Sequence, residues 1–73
     1  MRRFRIIITD NGFFCPQVNV GRLFWPKWKT IHGSNYGNFI INAFIVDGLD
    51  GWKDKSMAEK TIEYYRLFVK NKK

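Results

Sequence analysis

The chain reads as an α+β domain, an antiparallel sheet of three to four strands in the order β-β-(β)-β-α, with one C-terminal helix packed on one face. Three observations lead there. Two stretches alternating apolar and polar residues flank an Asn11-Gly12 pair, a long apolar run fills residues 38–46, and the apolar period then lengthens to a helical one near residue 57. At 73 residues the chain makes a single domain over 1–73. Such a chain buries only about 60–65% of the surface it exposes when unfolded, so its core needs reinforcement. Cys15 and His32 each stand alone, which excludes an internal disulfide and a Cys/His zinc site. Seven Phe, three Trp and three Tyr, or self-association, have to supply what those would.

The first strand, residues 3–10, sets Phe4, Ile6 and Ile8 against Arg3, Arg5 and Thr9. The second, 13–20, sets Phe14, Pro16, Val18 and Val20 against Cys15, Gln17 and Asn19. A two-residue turn at Asn11 and Gly12 would pair Ile8 with Cys15 and mix the two patterns. A three-residue turn with Gly12 left-handed, followed by a bulge, pairs Ile8 with Phe14, Ile6 with Pro16 and Phe4 with Val18. The second register is therefore expected. Pro16 has no N–H to donate, which places that side of the strand at a sheet edge.

Gly21 and Pro26 interrupt the pattern, and a short third strand is expected over 27–31. Residues 32–37 are loop by composition. In the fourth strand, 38–46, both the Phe39/Ile41/Ala43/Ile45 face and the Ile40/Asn42/Phe44/Val46 face are largely apolar, so burial on both sides is expected. Ser56 and Glu59 have capping-box spacing, and Ala58, Ile62, Tyr65 and Val69 mark one face of a helix over about 57–70. Glu59 and Lys70 then complement the helix dipole, and the 71–73 tail should fray. One helix covers one sheet face. The other needs the aromatic 22–31 segment, a partner, or a second copy in a homodimer.

A net charge of +7 favours polyanionic partners, although a solubility role explains such a charge equally well. No acidic residue occurs between Asp10 and Asp47, and within that gap Arg22, Phe24, Trp25, Lys27, Trp28 and Lys29 crowd together. Such a segment can stack bases and neutralise phosphates. Trp28 alternates with lysines as a half-buried strand residue does, whereas Trp25, held extended before Pro26, is the ring expected in solvent. Arg3 and Arg5 add a second basic patch, which edge protection would also explain. The candidate nucleic-acid-binding residues are Arg3, Arg5, Arg22, Trp25, Lys27, Lys29 and Tyr36.

Asp47, Asp50 and Asp54 lack EF-hand spacing, and Gly48 and Gly51 explain their loop as turns. No paired carboxylates, phosphate loop, nucleophile-base pair or metal motif is present, so the chain is expected to be non-enzymatic and to use no cofactor. The apolar run after the basic start ends after three isoleucines, too short for a signal peptide, and no stretch approaches a membrane span. A soluble protein of the cytoplasm is expected.

The Asn11-Gly12 hairpin, the Phe13-Phe14-Cys15-Pro16-Gln17 run, the Trp28-Lys29-Thr30-Ile31 step and the Ser56, Ala58, Glu59, Ile62 helix together resemble small uncharacterised proteins of tailed bacteriophages. The chain departs from that pattern in its 38–46 strand. The resemblance implies a phage or mobile-element origin, a bacterial host cytoplasm and a binding role, but assigns no residue. Two functions stay open. One is nucleic-acid binding through the aromatic-basic surface. The other is inhibition of a host or bacterial-defence protein (host takeover or anti-defence) through an open sheet face bearing Ile40, Phe44 and Val46.

Overall fold

The computed structural model describes residues 3–22 and 24–69; Arg2, Lys70 and the 71–73 tail lie outside them. Strands β1 (Phe4–Ile8), β2 (Phe14–Asn19), β3 (Trp28–Tyr36) and β4 (Phe39–Val46) form an antiparallel sheet in the order β1-β2-β3-β4. Helix α1 (Lys55–Tyr64) follows, continuing as a π-helical segment, Tyr65–Val69. The α+β architecture is the expected one.

The first hairpin has the expected register, Ile8 opposite Phe14, Ile6 opposite Pro16 and Phe4 opposite Val18. Its turn closes with the Gly12 N–H donating to the Thr9 carbonyl at 2.9 Å, and Gly12 takes φ +84°, which a side chain would resist.

Pro16 behaves differently from its reading as an edge residue. β2 is a central strand, and the Asn19 N–H donates to Arg3 while the Val20 N–H donates to Lys27. Odd-numbered residues of β2 therefore bond β1, and even-numbered ones, Pro16 among them, turn toward β3. The β2–β3 ladder runs only from Asn19 opposite Trp28 to Gln17 opposite Thr30, ending where Pro16 would have to donate. Beyond that point the strands part and Trp52 enters the fork, exchanging two backbone bonds with Phe14 at 2.7 and 2.9 Å.

On one face α1 covers a core of Val18, Ile31, Ala43 and Tyr65, with Phe4, Val20, Ile62 and Tyr64 packed against it. Gly33 permits the close approach. A Cβ there would lie 2.8 Å from Thr61 Oγ1 and 3.1 Å from the Trp52 ring, so Trp52 sits where helix and sheet meet.

Part of the opposite face is covered by the chain itself, which corrects over β2 and β3 the expectation that nothing after residue 46 could do so, while Phe44 of β4 stays 44% exposed. Segment 47–51 folds over it, with the Thr30 hydroxyl donating to the Gly48 carbonyl and His32 Nδ1 paired with Asp50. Cys15, Gln17 and Thr30, at 0%, 5% and 1% exposure, are sealed on that side. Gln17 accepts from Arg5 Nε at 2.8 Å and donates to Thr30 Oγ1 at 3.4 Å, so the buried amide is satisfied.

Other expectations also change. β3 continues through residues 32–36, read as loop by composition, because β4 supplies a ladder along them and Gly37, at φ +62°, closes a two-residue hairpin. β4 is an edge strand, not one buried on both sides, and only Ala43 of it is buried. An irregularity between Ser34 and Asn35 leaves Ile41 as an extra residue, so Ile40 turns to the helix side while Phe44 and Val46 stay on the other face. Finally, α1 starts at Lys55 with Asp54 at the N-cap and no side-chain cap, so Ser56 is inside the first turn and the expected capping box does not form.

Candidate nucleic-acid interface

The aromatic-basic segment forms the loop between β2 and β3. Asn19 holds it, its side-chain oxygen accepting from the Gly21 and Lys27 amides at 2.9 Å each. Arg22 and Trp25 close the tip with reciprocal backbone bonds of 3.0 and 3.2 Å. Gly21 is required by this turn, since a Cβ there would fall 2.3 Å from the Trp25 carbonyl oxygen. The clamped tip holds the rings away from the core. Phe24 and Trp25 stand 81% and 77% exposed, with Arg22 and Lys27 exposed beside them.

The antiparallel topology gathers most of the candidate residues at this end. The start of β1, the end of β2 and the start of β3 meet there, bringing Arg3, Arg5, Arg22, Trp25, Lys27 and Lys29 together. Arg3, Arg22 and Lys27 are exposed. Arg5 is more committed: its guanidinium carbon lies 4.1 Å from the centre of the Trp28 ring while Nε donates to Gln17. That contact makes half-buried Trp28 part of the surface, as a ring already carrying a cation. Lys29 pairs with Asp47 at 3.3 Å, which offsets its charge locally.

Tyr36 does not join them. It is exposed at the far end of β3, about 26 Å along the strand from Trp28, and it pairs with exposed Phe39 across the second hairpin. Of the alternative residues, Phe44 lies against the His32 ring at a 5.0 Å centroid distance, next to the Asp50 pair. Ile40 instead lines a groove with Tyr64, Leu67 and Phe68 of the helix. Ile40, Phe44 and Val46 thus do not form one surface.

Phe24, read as part of the stacking segment but not singled out from it, is as exposed as Trp25. One feature carried no sequence signal. The His32–Asp50 pair, beside a shallow hollow of about 400 Å³ with Ser34 and Trp52, depends on the path of the 47–52 segment. Among the described residues no helix is long and apolar enough to cross a membrane, and no group of three or more His, Cys, Asp or Glu side chains could hold a metal ion. No family model, curated protein or solved structure matches this chain.

Proposed function

We propose that this protein is a small non-enzymatic module that binds nucleic acid with the loop end of its sheet. The observation behind the reading is the clamped tip, where two exposed aromatic rings project between exposed Arg22 and Lys27 with Arg3 close behind. Base stacking on such rings contributes about 1–3 kcal/mol each, and each phosphate held by a cation adds affinity that falls with salt. Arg5, stacked on Trp28, extends the platform onto the sheet. Tyr36 takes no part in it. A small basic binder of this kind fits a phage or mobile-element origin and a cytoplasmic setting.

Fluorescence anisotropy of labelled single-stranded and duplex oligonucleotides, titrated at low and near-physiological salt, tests the reading. Binding should weaken steeply with salt. Trp25→Ala should lower affinity about 5- to 150-fold, the span of one lost stacking contact, with no change in melting temperature because the ring is exposed. Absence of binding at low salt would sink the proposal. It would favour instead the second reading, a protein-binding inhibitor of a host or defence protein, for which the exposed side chains of β4 are the support.

A further inference from the structure

We propose that β4 pairs antiparallel with the β4 of a second copy, about a two-fold axis at Phe44, to give a continuous eight-stranded sheet.

The ladder fixes which groups are available. Because the Val20 N–H donates to Lys27, odd-numbered residues of β3 turn toward β2 and even-numbered ones toward β4. Thr30, His32 and Ser34 thus bond Val46, Phe44 and Asn42, and Ala43 and Ile45 turn their polar groups outward. The Ala43 N–H has a makeshift acceptor, the side-chain oxygen of its own neighbour Asn42 at 2.9 Å. Beyond Asn42 the edge is closed, since Ile41 is the extra residue and its carbonyl accepts the Tyr64 hydroxyl at 2.9 Å. A partner strand therefore has only the stretch 42–46.

Within that stretch one antiparallel register satisfies both copies. Ala43 faces Ile45 of the partner subunit and the two exchange both N–H···O bonds. Phe44 then meets Phe44 of the partner subunit in the closely spaced, non-hydrogen-bonded position, where side chains pack best. Asn42 falls opposite Val46 of the partner subunit and is released from its own backbone.

The two-fold register points to a second copy as the occupant, and charge does not oppose it. The chain carries +7, but no charged residue lies between Asn38 and Val46. The antiparallel arrangement also sends the two basic loops to opposite ends of the joined sheet, separated by far more than the ~8 Å Debye length at physiological salt. The other edge, β1, is guarded by Arg3 and Arg5. So short a ladder makes a weak interface, below about 1,200 Å² in total, and the dimer is accordingly sought at high protein concentration.

Sedimentation of the intact chain should show the 8.7 kDa protomer giving way to a species of twice that mass as concentration rises. Phe44→Cys should then form a disulfide-linked dimer under mild oxidation, because the opposed Cα atoms lie about 4.5 Å apart, within disulfide range. Asn42→Cys should not, as its two copies would be roughly 13 Å apart along the strands. Cys15 is fully buried and gives no background. A wild-type protein that stays monomeric throughout, or grows past a dimer, overturns the proposal. So does cross-linking of Asn42→Cys in preference to Phe44→Cys.

Discussion

β2 holds a cysteine, a proline and a glutamine, and all three are buried; β4 holds seven apolar residues and one asparagine, and Ala43 alone of them is buried. The two strands lie in one sheet, one place removed from each other. β2 is flanked on both edges, covered by α1 on one face and by segment 47–51 on the other, so its polar groups had to find partners inside. β4 has a neighbour on one edge only, and the cover that seals Thr30 does not extend to shield Phe44. Place in the strand order decided burial here, and side-chain hydrophobicity did not.

Substitutions can break this contrast. The largest effect is expected at Val18, fully buried in β2. Val18→Ala should lower unfolding free energy by about 2–3 kcal/mol in urea titration, through lost burial and the cavity left behind. Thr30→Val should come next, at about 1–3 kcal/mol, because the Gly48 carbonyl and the Gln17 amide would lose their hydroxyl partner in a dry site. If Thr30→Val were neutral, segment 47–51 would not be the cover described. The smallest is Ile41→Ala on β4, where 58% of the residue is already in water. It should cost under about 0.5 kcal/mol in dilute solution, and a loss like that of Val18→Ala would erase the difference between the strands.

What the residues alone conveyed follows the same division. Local chemistry was legible: Asn11 and Gly12 with matched apolar faces gave the first register, and Trp25 ahead of Pro26 gave the exposed ring. Non-local competition was not. Residues 32–36 are loop-like in composition yet are held as strand by the ladder β4 offers. The apolar letters of β4 suggest an interior strand, because nothing in them records whether a fifth strand follows. Ile40 changes face through a single extra residue, Ile41, which a period-two reading cannot contain. Within the candidate interface, Arg22, Trp25 and Lys27 are close in sequence and stayed together. Tyr36 was separated from them by the length of a strand, and the charge of Lys29 is offset by Asp47.

The fork between β2 and β3 also bears on the order of folding events. Closing the contact between Trp52 and Phe14 costs least chain entropy once β2, β3 and β4 have taken their places, since the chain leaves β4, crosses the sheet and reaches the gap that Pro16 leaves. Contacts of the Trp52 wedge are therefore expected on the downhill side of the folding barrier, after long loops have closed. Weakening the wedge, as in Trp52→Phe, should steepen neither arm of a chevron plot but raise the unfolding arm while leaving refolding nearly unchanged. A matching slowdown in refolding would place the wedge in the nucleus instead. In that order the fork is a latch closed last, and the lifetime of the native state would follow how long it stays shut.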